Sequence, residues 1–179
     1  QGKIMALFRG FRRRTADGKD HIVGKMTCTF TIPDTKRSAA LIKPWAKSSF
    51  YWPGLECTQS EIEKLNIIQP VIYPIPFNGY WYWRGYNVHN GEYPPGVTPG
   101  WYNTNAAINS HMKLGETYTL YALYMGKETV ENQTYYKYSY GFKNETTPHR
   151  ADHNVQMSFK TPFTRVVFAY EDTKNDSGW

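Results

Sequence analysis

The sequence predicts an all-β fold: a single-domain antiparallel β-sandwich over residues 1–179, jelly-roll-like, with a closed β-barrel as the alternative. Three observations predict it. Apolar and polar residues alternate with period two in one segment after another. The chain carries 15 Tyr, 6 Trp and 9 Phe, residue types that suit a pleated, half-buried surface. Its 14 Gly and 11 Pro punctuate the alternating segments and leave little room for long helices.

Residues 4–14 read as extended, and Thr15-Ala16-Asp17-Gly18 as a turn, so a first hairpin is expected there. Met26, Cys28, Phe30 and Ile32 alternate with Thr27, Thr29 and Thr31, the pattern of a strand buried on one face. Thr58-Gln59-Ser60-Glu61 has the form of a capping box, in which Thr caps the first turn and Glu reaches back. With Ile62, Leu65 and Ile67 as a stripe, it predicts one short helix near 58–67, ending before Pro70. Between Gln69 and Thr104, Pro70, Pro74, Pro76, Pro94, Pro95 and Pro99 predict edge strand or ordered loop, because proline cannot donate to a central ladder. Tyr118, Leu120, Ala122 and Tyr124 share a face, as do Tyr136, Tyr138, Tyr140 and Phe142, and residues 126–132 join these strands as a hairpin. Val155, Met157 and Phe159 mark a further strand, and residues 164–170 the last. No repeat, linker or shift of composition divides the chain, so one domain is expected.

A net charge of +6 permits contact with nucleic acid, anionic glycans or acidic lipid without requiring any of them. Gln1 in place of an initiator methionine fits a removed leader or a trimmed chain, and an extracellular or secreted location is expected, a virion being the alternative. No apolar run approaches the ~20 residues that span a bilayer, so no transmembrane segment is expected. Cys28 and Cys57 lack a CxxC pairing. They are a candidate disulfide, with two buried thiols as the other reading. Asn132, Asn144 and Asn175 begin glycosylation sequons.

The strongest candidate site is the aromatic segment from Phe77 to Tyr102. Tyr80, Trp83, Tyr86, Trp101 and Tyr102 offer ring faces, and Asn87 and Asn103 offer amides beside them. Sugars present both C–H faces and hydroxyls to such a surface. Alternation in Tyr80-Trp81-Tyr82-Trp83 sends half of these rings to the core. Arg9, Arg12, Arg13 and Arg14 form a basic stretch suited to phosphate or sulfate, although Phe8 and Phe11 between them fit an ordered strand. His149 and His153 stand four apart with Asp152 between them, but Pro148 marks a loop, where that spacing loses its meaning for a metal. No GxSxG, Walker A, GxGxxG or HExxH motif is present. No catalytic residue, cofactor or metal is assigned, and the protein is read as non-enzymatic.

In size, basicity and mid-chain Trp/Tyr density the chain resembles actinoporin-like pore formers and fungal lectins. The likeness is one of composition without a contiguous motif. Arg12 to Arg14 also stand where a pore former would carry an amphipathic N-terminal helix. The leading reading is therefore an extracellular recognition module for glycan or another surface ligand. A capsid or other self-assembling jelly-roll subunit is the first alternative, a homo-oligomer touching nucleic acid through its arginines. A membrane-active toxin is the second.

Overall fold

A computed structural model describes residues 4–12, 16–33, 46–57, 66–77, 80–97 and 112–174. Nine strands lie among them: β1 (Ile4–Arg12), β2 (Lys25–Thr31), β3 (Ala46–Glu56), β4 (Ile67–Phe77), β5 (Tyr80–Asn90), β6 (Thr117–Val130), β7 (Gln133–Asn144), β8 (His153–Phe159) and β9 (Arg165–Lys174). They form two antiparallel sheets, ordered β1-β9-β3-β4-β5 and β2-β6-β7-β8. The fold is a β-sandwich that is not closed into a barrel.

The alternating residues named above face inward and fill the space between the sheets. Leu55 and Ile68 of the five-stranded sheet meet Met26, Ala122, Tyr138, Tyr140 and Phe159 of the other. Phe163 closes this cluster, with its ring centroid 4.9 Å from those of both Tyr138 and Phe159 and nearly perpendicular to each. Edge-to-face contact places positive ring edges on negative faces, so the rings gain more than their buried area alone would give. A second cluster joins Ile72 and Trp83 to Tyr118, Leu120 and Phe142.

The two sheets differ on their outer faces. Thr27, Thr29 and Thr31 of the four-stranded sheet are exposed, as the alternation predicts. The outer face of the five-stranded sheet is instead apolar, with Trp52, Ile67, Val71, Val88 and Val167 buried there in one cluster.

Several expectations are corrected. The first hairpin does not form: β1 pairs with β9, and β2 pairs with β6 in the opposite sheet. The turn at Asp17 and Gly18 therefore lies on a crossover between sheets. The predicted helix falls mostly on residues 58–65, outside the described residues, and its last apolar position, Ile67, opens β4. β4 also lies inside its sheet, although it carries Pro70, Pro74 and Pro76, whereas β5 is an edge as expected.

Register explains how β4 tolerates its prolines. Tyr51 pairs with Ile72 and Leu55 with Ile68, so Pro53 stands opposite Pro70 midway between those pairs. Cys57 N donates to Asn66 O in the same phase of the ladder. Neither proline has an N–H to give, and the β3–β4 pairing lapses there. Pro74 and Pro76 share the parity of Pro70, so all three missing donors point toward β3. The ladder on the other side runs unbroken from Ile67–Asn90 to Phe77–Tyr80.

The β6–β7 hairpin turns on Glu131 and Asn132, at φ 48° and 63°. Two consecutive positive φ values define the type I′ turn, whose twist matches the flanking strands. The register shifts between Tyr124 and Gly126, so Met125 is the extra residue of a bulge. The strand thus continues to Val130, beyond the end expected at Met125.

β7 and β8 approach closely at Gly141, where a Cβ would collide with the carbonyl oxygen of His153. Gly141→Ala is expected to lower stability by at least about 3 kcal/mol, because backbone rather than a mobile side chain blocks the added atom. Urea denaturation checks this; a loss under about 1 kcal/mol would show that β8 can shift aside.

Candidate functional site

Among the described residues, the Trp/Tyr segment divides between the two faces of β5. Tyr80 opens β5. Trp83 is corrected from ligand platform to core residue: it is 2% exposed, and its ring packs 5.8 Å from both Phe30 and Tyr51. Tyr86 points to the opposite face, edge-on to Tyr73 at 5.1 Å. Burial, then the nearby Tyr73 and Glu171, push its hydroxyl pKa up. Asn87 is fully buried and faces inward, so it is corrected from surface partner to inter-sheet contact. Trp101, Tyr102 and Asn103 lie outside the described residues. Arg9 and Arg12 are on β1, and Arg13 and Arg14 are outside the described residues.

Cys28 and Cys57 carry thiols rather than a shared disulfide. Cys28 belongs to β2 in one sheet. Cys57 follows β3 in the other, where its Sγ accepts a hydrogen bond from Asn66 N at 3.4 Å. The two histidines at i, i+4 also separate. The His149 side chain stands in solvent, while His153 opens β8 and turns inward. Among the described residues no group of three His, Cys, Asp or Glu is placed to hold a metal ion.

Two polar contacts cross the sandwich at β5. Asn87 Nδ2 donates to His153 Nδ1 at 2.6 Å, and His89 Nδ1 shares a short hydrogen bond with the Tyr140 hydroxyl. Burial lowers the pKa of both imidazoles, that of His89 to about 4. In the amide orientation seen here, His153 Nδ1 must accept, which requires a neutral ring.

Beside this seam the β7–β8 loop is built on Asn144. Its Oδ1 accepts from Thr146 N at 2.9 Å and Thr147 N at 2.8 Å. Its Nδ2 donates to Tyr118 OH and Arg150 O, each at 3.1 Å, and to Glu116. Arg150 Nη1 reaches Glu116 Oε1 at 3.1 Å. Asp152 Oδ1 accepts from Asn144 N at 2.6 Å, which fixes that carboxylate. The Asn144 sequon is therefore closed to modification in the folded chain, because Asn144 is fully buried with its amide engaged.

The loop borders the most coherent polar surface among the described residues, the outer face of the four-stranded sheet. Thr27, Tyr121, Gly141 and Asn154 form one row across β2, β6, β7 and β8. With no side chain at Gly141, Tyr121 reaches across β7. Asn154 Nδ2 donates to the Tyr121 hydroxyl at 2.8 Å and to Ser139 Oγ at 2.7 Å. Both amide hydrogens are thereby used and the carbonyl oxygen remains available to accept. Tyr121, Lys143, Asp152 and Asn154 help line a cleft of about 380 Å³ beside the row. The site thus offers an aromatic face, a cation and two anchored acceptors, with Phe142 and the His153 imidazole at its inner side.

The sequence reading missed Tyr121, Ser139, Lys143 and Asn154. The available signal was the solvent-side set of the alternating strands, with Gly141 marking where a neighbouring group lies over the backbone. No protein-family model, no curated protein and no solved structure matches the chain.

The histidine seam predicts acid sensitivity. The folded state holds His89 at about 4 against an ordinary 6.5, so between these values the unfolded chain binds more protons. The penalty is absent above pH 6.5, grows as pH falls, and is complete below about 4, reaching on the order of 2–3 kcal/mol for this residue. Urea midpoints measured from pH 7 to pH 4 should fall for the native protein. His89→Gln should flatten that fall, and an unchanged slope in the variant would reject the assignment.

Proposed function

We propose that the protein is a non-enzymatic recognition module that binds glycan on the outer face of its four-stranded sheet. One observation carries this reading: the Tyr121–Gly141–Asn154 row, with the Asn154 amide tethered at both hydrogens beside an open cleft. A pyranose ring stacks its C–H face on an aromatic ring and offers hydroxyls around its rim. Here Tyr121 supplies the platform, and the Asn154 carbonyl accepts from a sugar hydroxyl. Lys143 donates, and the Thr27 and Thr29 hydroxyls serve either role. The tethering of Asn154 adds preorganisation, because the side chain needs no further ordering when ligand arrives.

The exposed threonines and the lysine also explain why the ligand is polar rather than an apolar surface. The aromatic ring explains why it is a sugar rather than a small ion. Ligand contact through the mid-chain tryptophan is not part of this reading, because Trp83 supports the core.

A panel of neutral and acidic oligosaccharides on an array, followed by calorimetric titration, tests the proposal. Asn154→Ala and Tyr121→Ala should each weaken binding by about tenfold or more, equivalent to about 1.4 kcal/mol. Thr134→Ala, at the distant β6–β7 hairpin, should leave binding unchanged. Absence of any bound glycan, or binding indifferent to both variants, would reject it. Light scattering that reveals a large particle with excess absorbance at 260 nm would favour an assembly subunit instead.

A further inference from the structure

The five-stranded sheet is wider than its partner. β2, the edge of the four-stranded sheet, packs over β3. Among the described residues, no strand of the four-stranded sheet covers β9 as β2 covers β3. A cavity of about 140 Å³ lies there, with Cys28, Phe30 and Leu120 on one side and Tyr51, Ile72 and Phe168 on the other. Phe168 is 38% exposed, an unusual setting for so large an apolar side chain on an inward-facing position.

We propose that this cavity is a binding site for a small uncharged apolar molecule the size of a single aromatic ring. Its lining, completed by Trp52, Pro53 and Ala169, is mostly apolar, with the Cys28 thiol and the Tyr51 hydroxyl among its polar groups. Water needs two to four polar partners to occupy an interior space, and these walls supply few. An enclosed void lined by Leu, Ile and Phe at roughly 150 Å³ stays dry and accepts benzene, and this cavity has similar walls but opens to solvent beside Phe168. A charged or hydroxyl-rich ligand is excluded because burying its polar groups here would leave them unpaired. Burial also raises the Cys28 pKa, so the thiol stays protonated and serves as a wall rather than a nucleophile.

The site differs in position and chemistry from the polar face of the four-stranded sheet and does not depend on the glycan reading. Benzene is the probe. Added to the native chain at saturation, it should raise Tm by several degrees, because it binds only the folded state. It should also slow iodoacetamide alkylation of Cys28 by about threefold or more, followed by peptide mass spectrometry. Glycerol at the same concentration should do neither. Cys28→Leu fills the cavity from its own wall and should abolish the benzene-dependent rise in Tm. A Tm and an alkylation rate both indifferent to benzene would overturn the proposal. So would an equal thermal shift in Cys28→Leu, which would place the bound molecule elsewhere. Should Cys28→Leu not fold, the protection of Cys28 in the native chain decides the matter.

Discussion

Gly141 has no side chain, and the two faces of the four-stranded sheet are arranged around that absence. The carbonyl of His153 occupies the space a Cβ would need. β8 therefore lies close against β7, with His153 directed inward and Asn154 outward. The inward residue meets Asn87 and ties the sheets together. The outward residue meets Tyr121 and Ser139 and sets the polar row. Glycine in a strand ordinarily weakens it through lost packing and a greater entropy cost. Here Tyr121 supplies cover from the neighbouring strand, and the buried network at Asn144 holds the loop that leads into β8.

The prolines of β4 show how a local rule can be broken without breaking the fold. Proline is excluded from central strands because each one removes a ladder bond. That cost depends on where the missing donor points. Pro70, Pro74 and Pro76 all fall on one side of β4, so only the seam toward β3 is thinned, and the ladder toward β5 stays whole. Pro53 opposite Pro70 places two absences at one level rather than leaving two carbonyls without donors at two levels. Packing of Ile68 and Ile72 into the core then holds β4 in place where hydrogen bonds do not.

Much of the sandwich was legible because β2, β6, β7 and β8 alternate apolar residues with polar or small ones along the sequence. Met26 to Ile32 and Tyr138 to Phe142 could be assigned to the core from period alone. Strand partners were not legible: the expected first hairpin fails because β1 finds its hydrogen bonds on β9, and no local pattern encodes so distant a partner. β4 is obscured because the cost of its prolines depends on their parity, which register and not sequence displays. The site was obscured for a related reason. Tyr121, Ser139 and Asn154 are ordinary in sequence and become a unit only through register across three strands. Trp83 stands out by composition, yet its place in the alternation makes it one of the rings the core needs.

The strand order also bears on synthesis. β6, β7 and β8 are sequential neighbours and can pair as soon as they leave the ribosome. β3 cannot: one of its edges waits for β9, residues 165–174, while its aromatic side chains and those of β4 and β5 are already made. Contacts so far apart in sequence form slowly and leave apolar strands uncovered in the interval. During translation the five-stranded sheet is thus completed only when the last strand, β9, has been made.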